Sequence, residues 1–379
     1  MISDQITAES QLLWRRTVGE RINALAPFVS WDRDPYLVIR DDGGLSYMVD
    51  GYTVSNRFPN AQYFDPSALA TSSFDRPANY IRNSIKATVD LYTGETKLYI
   101  ADAADPIARA WSGVFPGLLR PLDEMPSDLR AHLRYPEELF NVQTRVFARY
   151  HVTDPAAFYS SEDVWTVPTD AGSEQTLPAE AYYVHMRMPG EPKPEFLLLQ
   201  AMVPQKRPNM IAWVAVRNDG PAYGQVRVHQ FKENTSVLGP NQIEAKIDAD
   251  PTISAQISLW SQAGSKVIRG NLIVMPIQDS LIYLQPIYLQ STASAFPELQ
   301  KVVIATSASV VWGDTLADAL RAQLASPGGS GGTPSPGPWD RPPGSPRCAR
   351  FRCRDSRPTA RDPRAAPEFG SRRHLESRC

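Results

Sequence analysis

Two stretches of period-two alternation, each doubling back through a glycine-bearing turn, do most to limit what this chain can become. Ile85, Ala87, Val89 and Leu91 alternate with Lys86, Thr88 and Asp90, after which Thr93 and Gly94 turn the chain into residues 97–100. Alternation at this period puts one set of side chains on each face of a strand, and a short glycine turn joins antiparallel neighbours. Residues 36–40 and 45–50 repeat the arrangement around Asp41, Asp42, Gly43 and Gly44, residue types that tolerate positive φ. Antiparallel sheet is therefore built into the first hundred positions.

Helical signals sit between and before these hairpins. Trp14, Val18, Ile22 and Leu25 form one apolar stripe, predicting a helix over about 7–25 that Pro27 ends. Asp105-Pro106, Asp154-Pro155 and Asp250-Pro251 each offer a carboxylate at N-cap and a proline at N1, where its missing N–H costs nothing. Pro136 opens a further helix with Leu139, Val142, Val146 and Tyr150 on one face. Strands are expected at 182–188, 196–203, 211–217, 225–231, 267–275, 281–289 and 301–305, and a closing helix at 314–324. This order reads as α+β, rich in antiparallel hairpins with short interspersed helices. A propeller-like or toroidal sheet is the alternative, although no fixed period of about 40 to 50 residues is evident.

Charge marks a boundary. Residues 327–379 carry 11 Arg against 5 acidic residues, +6, so the total of −2 leaves −8 on residues 1–326. That body has no basic stripe, which argues against nucleic acid as a partner. All three cysteines, Cys348, Cys353 and Cys379, lie in the tail, so the body has no thiolate chemistry and its redox compartment is unreadable. The tail, 326–379, is rich in Gly, Pro and Arg and is expected to be disordered. Its abrupt change from Arg341 onward is what a shifted reading frame through GC-rich DNA would produce; a basic arm for nucleic acid or a membrane surface is the alternative. Hydrophobic content of 42% over 379 residues supports a sizeable core. A spanning helix needs about 20 mostly apolar residues; even 272–289 is broken by Pro276, Gln278, Asp279, Gln285 and Pro286. Met1 to Ser10 carries Asp4 and Glu9 and does not read as a secretion signal.

A run of local motifs identifies relatives. Trp31-Asp-Arg-Asp-Pro-Tyr-Leu-Val-Ile39, Tyr47-Met-Val-Asp-Gly-Tyr52, Asn79-Tyr-Ile-Arg-Asn-Ser-Ile-Lys86 and Val89-Asp-Leu-Tyr-Thr-Gly94 come first. Phe115-Pro-Gly-Leu118, Met125-Pro-Ser-Asp-Leu-Arg-Ala-His132 and Arg134-Tyr-Pro-Glu-Glu-Leu-Phe-Asn141 follow, then Asn209-Met-Ile-Ala-Trp213, Gly239-Pro-Asn-Gln-Ile-Glu-Ala245 and Ile268-Arg-Gly-Asn-Leu272. Together, over roughly residues 5–324, the chain resembles the large bacterial membrane proteins grouped as uncharacterised protein family 0182. The resemblance implies N-terminal transmembrane helices, absent from this stretch, and a cell-membrane protein whose extracytoplasmic domain ends in residues 1–325, in one unit or in two subdomains meeting near 170–180. It implies no reaction and no cofactor.

Motif searches for chemistry return mostly absences. There is no phosphate-cradling glycine loop, and His132, His151, His185 and His229 are too dispersed for zinc spacing. His132 reads as a helix-surface residue. Gly328-Gly-Ser-Gly-Gly332 matches a nucleophile-elbow pattern but lies in a linker, without the strand and helix that motif needs. Asn234-Thr235-Ser236 matches a glycosylation pattern that reads as incidental. One acidic group remains: Asp32, Asp34, Asp41, Asp42 and Asp50. Clustered carboxylates hold divalent metals or divide acid and base roles, whereas Asp41, Asp42 and Asp34-Pro35 also suit turns. Aromatic residues crowd the same region, among them Trp31, Tyr36, Tyr52, Phe74 and Tyr99, either as sheet core or as a recognition surface. Two functions follow: a non-catalytic extracytoplasmic binding, sensing or assembly module, or a carboxylate-dependent hydrolase or metal-binding enzyme built on the Asp32 to Asp50 group.

Overall fold

The structure is a computed structural model that describes residue 7 and residues 14–69, 72–170, 177–232, 236–262, 265–277, 280–291 and 296–326. The tail, the glycine-rich Gly328 to Gly332 segment, all three cysteines and the Asn234 pattern lie outside these residues.

The first helix, α1 (Val18–Leu25), starts later than its apolar stripe suggests. Thr17 accepts a hydrogen bond from the Glu20 N–H at 3.2 Å, and Glu20 accepts one from the Thr17 N–H at 3.1 Å. This reciprocal cap fixes the helix start. Arg15 adopts φ of 53°, and Trp14 is exposed rather than part of a buried stripe. Next come β1 (Ser30–Trp31), β2 (Tyr36–Ile39), β3 (Leu45–Ser55), β4 (Tyr80–Asp90), β5 (Thr96–Ile100), α2 (Pro106–Val114) and β6 (Leu119–Pro121). The first sheet runs β1-β3-β4-β5-β6, with β2 also on β3; every pair is antiparallel except β5–β6. Both predicted hairpins are present, and their turns place Gly43 and Gly94 at φ of 80° and 70°. The alternation in β4 does not separate core from water, because every residue from Ser84 to Val89 is buried, Lys86 and Thr88 included.

Three helices follow: α3 (Ser127–Ala131), α4 (Glu137–Tyr150) and α5 (Pro155–Ser160). The expected aspartate caps form: Asp105 accepts from the N–H groups of Ile107 and Ala108, and Asp154 from that of Ala157. The buried face of α4 is Leu139, Phe140, Val142, Thr144 and Ala148, whereas Val146 and Tyr150 point to solvent. Two short pieces, β7 (Trp165–Thr166) and the ribbon of β8 (Thr169–Asp170) with β9 (Leu177–Pro178), lead into a second sheet. Its order is β10 (Tyr182–Arg187), β11 (Pro194–Pro204), β12 (Ala212–Arg217), β13 (Val226–Gln230), with β7 on β11. Both faces of this sheet are covered, which is why β11 and β12 read as nearly unbroken apolar runs. Leu198, Met202, Val214 and Val216 share a core with Tyr52 and Phe74 of the first sheet region and with Leu139 and Phe140 of α4. Leu197, Leu199, Trp213 and Ala215 face a second core.

That second core is closed by α6 (Pro240–Asp248), α7 (Pro251–Gln262) and a third sheet. The third sheet holds β14 (Ser265–Arg269), β15 (Ile273–Ile277), β16 (Ser280–Ser291), β17 (Glu298–Ala305) and β18 (Val310–Gly313), before α8 (Leu316–Ala325). The strand expected at 267–275 is two strands, both paired with β16 and broken at Gly270, where a Cβ would lie 2.6 Å from the Pro286 ring. The architecture is α+β, with three sheets dominated by antiparallel pairing. None of them closes into a barrel, so the toroidal alternative is set aside. No helix among the described residues is long and apolar enough to cross a membrane.

Candidate functional site

A polar cleft opens where the first sheet, α4 and the start of the second sheet meet. On α4, Glu137, Asn141 and Arg145 recur every four residues and so share one face. Asp32 and Asp34 come from the link between β1 and β2, Asp50 from β3, and Ala179, Glu180 and Tyr183 from the run into β10; with α4 they line a cavity of about 430 Å³.

The segment that starts α4 is anchored from both sides. The Tyr135 N–H donates to Asn218 at 2.6 Å, and the Tyr183 hydroxyl donates to the Tyr135 carbonyl oxygen at 2.6 Å. The Arg134 guanidinium lies over the rings of Tyr36 and Tyr183, 4.1 and 5.0 Å from their centres, and pairs with Asp34 at 2.7 Å. Its carbonyl oxygen accepts from Lys86 at 3.1 Å and from the Tyr223 hydroxyl at 3.0 Å. Lys86 in turn pairs with Asp50, and both side chains are almost wholly buried. Asn83 donates to the same Asp50 oxygen at 2.9 Å, so the charge pair has hydrogen-bonded support.

Two carboxyls in the cleft are far from their ordinary state. Asp32 is pushed up from 3.8 to about 6, first by burial and then by the neighbouring Asp50 and Glu138, although the Tyr52 hydroxyl donates to it and opposes the rise. Glu137 is pushed up from 4.5 to about 7, again first by burial, then by Glu180 and Asp34, with Arg134 and Asn141 opposing. Glu138 is instead satisfied by the Ser72 hydroxyl at 2.8 Å and the Ser73 N–H at 2.7 Å. Burial pushes Arg145 down, and no carboxylate among the described residues pairs with it.

Of the five aspartates singled out in the sequence, Asp32, Asp34 and Asp50 meet in this cleft and Asp41 and Asp42 do not. Asp42 accepts from the Gly44 N–H at 2.8 Å and lies 3.3 Å from Arg40; the Asp41 N–H donates to Asp128. Those two shape their turn. Among the described residues no group of three or more His, Cys, Asp or Glu could hold a metal ion. His132 is exposed at the end of α3. Trp31, Tyr52, Phe74 and Tyr99 belong to the core, while Phe58, Tyr63 and Tyr92 are exposed. Lys86 and Glu137 lie within motifs shared with relatives, yet neither they nor Arg145 stand out in sequence as site residues; the signals for them are the four-residue spacing along α4 and a lysine inside an otherwise buried strand.

The family model described as Uncharacterised protein family (UPF0182) matches residues 1–260. The chain belongs to UPF0182. It is 48% identical over 321 residues to a UPF0182 protein of Desulforamulus reducens, covering 85% of this chain and 34% of the relative. A UPF0182 protein of Bradyrhizobium diazoefficiens is 44% identical over 329 residues, 86% of this chain and 34% of its own length. One from Methanospirillum hungatei is 42% identical, with 85% and 35% covered. The chain thus spans about a third of the length of the UPF0182 relatives it matches, in their C-terminal part. No solved structure matches it significantly.

Proposed function

We propose that this region of UPF0182 is a non-catalytic binding module on the extracytoplasmic side of a cell-membrane protein, and that the cleft between the first sheet, α4 and the second sheet is its ligand site. The observation that carries the reading is the cavity of about 430 Å³ lined by Asp32, Glu137 and Arg145, three ionisable groups without an ion-pair partner among the described residues. Volumes of about 300 to 1,000 Å³ with a few convergent polar groups are typical of small-molecule sites. Keeping such charges partly desolvated without a counter-charge destabilises the empty fold, and a ligand of complementary charge offsets that. The membrane placement rests on the family resemblance.

A thermal-shift screen of the full chain against small neutral, cationic, anionic and zwitterionic compounds tests the reading. Compounds that raise the melting temperature of the natural protein, but not of a Glu137→Gln, Arg145→Leu double variant, are expected; a screen in which no compound depends on those residues contradicts it. One observation favours a second reading, a carboxylate-dependent hydrolase: burial raises Glu137 to about 7 and Asp32 to about 6, so Glu137 keeps a proton near neutral pH as a general acid must while Asp32 is largely ionised, as a base must be. That reading requires hydrolysis of some ester or glycoside substrate that falls about 100-fold or more in Asp32→Asn or Glu137→Gln.

A further inference from the structure

Charges along the cleft are not evenly compensated, and their arrangement narrows the ligand. Three of the lining carboxylates are already engaged: Asp34 with Arg134, Asp50 with Lys86, Glu138 with Ser72 and Ser73. Asp32 accepts from the Tyr52 hydroxyl and, at 2.9 Å, from the Asp34 N–H, but like Glu137 and Glu180 it has no ion-pair partner among the described residues, and Glu180 repels Glu137 closely enough to raise its proton affinity. Arg33 also lines the cavity, but its side chain is exposed and lies 3.9 Å from Asp75, so negative charge still accumulates around the first turn of α4. Arg145 stands eight residues further along the same helix, about 12 Å along its axis. It is half-buried, lines the same cavity and has no anionic partner. A planar guanidinium of this kind matches a carboxylate through two parallel hydrogen bonds.

The geometry points to a small zwitterion as ligand, its ammonium among Asp32, Glu137 and Glu180 and its carboxylate on Arg145. This rests on the binding-module reading and specifies the ligand class for that same cleft. A purely cationic ligand leaves Arg145 desolvated and unpaired, and a purely anionic one adds to the repulsion around Glu137. A flexible chain of several carbons between the two charges spans the distance and fits the cavity.

Isothermal titration of the full chain at pH 8, where Glu137 is ionised, with 6-aminohexanoate, hexylamine and hexanoate separates the contributions of the two charges. The zwitterion is expected to bind about tenfold or more tightly than either single-charge probe. Arg145→Leu should reduce 6-aminohexanoate to the affinity of hexylamine, and Arg145→Lys should restore part of the loss. Glu137→Gln should weaken the two amine-bearing probes and leave hexanoate unweakened. Cooperative melting of each variant, at a temperature no lower than that of the natural protein, shows that the fold is intact. Hexylamine binding as tightly as 6-aminohexanoate, or an Arg145→Leu variant that keeps full affinity, overturns the inference. If none of the three probes binds while the broader screen finds another ligand dependent on Glu137 and Arg145, the zwitterion is wrong and the binding cleft stands; if the screen also finds nothing, both fall.

Discussion

At the scale of single residues, the Lys86–Asp50 pair shows how this fold handles buried charge. Removing one member leaves the other buried and unpaired, which is far more damaging than removing both. Lys86→Met is expected to destabilise by about 3 to 5 kcal/mol in urea melts, and the double variant Lys86→Met, Asp50→Leu to regain most of that loss. A double variant as unstable as the single one would show that the pair, not the orphaned charge, matters. Asp32 and Glu137 give a pH signature of opposite sign to ordinary acid unfolding. Unfolded, these carboxyls lose protons near 3.8 and 4.5; folded, they hold them to about 6 and about 7. The folded chain therefore binds more protons in that window, and stability rises as pH falls from 8 to 5. Both groups are partly solvated, so the gain is about 1 to 2 kcal/mol in total rather than the full shift. Asp32→Asn with Glu137→Gln should flatten it; urea midpoints at pH 5 and pH 8 check this. The sequence showed three of the cleft aspartates because they cluster along the chain. Glu137 and Arg145 become neighbours of Asp32 only through the packing of α4, which no local spacing encodes.

Among elements, legibility followed the strength of local chemistry. The Asp-Pro starts of α2, α5 and α7 were readable because cap and proline act within one turn. At α1 the apolar spacing predicts a start near residue 7, but the reciprocal Thr17 and Glu20 cap sets it at Val18. At α6 the Gly-Pro start carried a resemblance but no helix expectation, and its reason is tertiary. A Cβ on Gly239 would collide with the Pro208 carbonyl oxygen, while the Gly239 N–H donates to Gln242 at 2.9 Å. Gly239→Ala is predicted to destabilise by about 1 to 3 kcal/mol, the usual cost of overpacking. An alanine variant with an unchanged urea midpoint would show that this approach is loose. The strand split at Gly270 was likewise invisible, since it depends on Pro286 from the partner strand.

For the whole molecule, the second sheet is the structural centre, with the first sheet and α4 on one face and α6, α7 and the third sheet on the other. Leu198→Ala and Leu199→Ala remove side chains from opposite faces, and each is expected to cost about 2 to 5 kcal/mol. If the layers share one cooperative core, both lower a single melting transition; two separated transitions, each sensitive to one variant, would show that the layers unfold independently. The unbroken apolar runs in β11 and β12 made the second sheet readable, but the cleft at its edge exists only when three distant segments pack together. Its defining property is desolvation of carboxyls that would otherwise be fully ionised at neutral pH. Carbon-13 NMR titration of the side-chain carboxyls of Asp32 and Glu137, assigned by Asp32→Asn and Glu137→Gln, tests that property directly. Midpoints near 6 and near 7 are predicted; midpoints of about 4 for both, the ordinary range for solvated carboxyls, would contradict the recessed cleft on which the functional account depends.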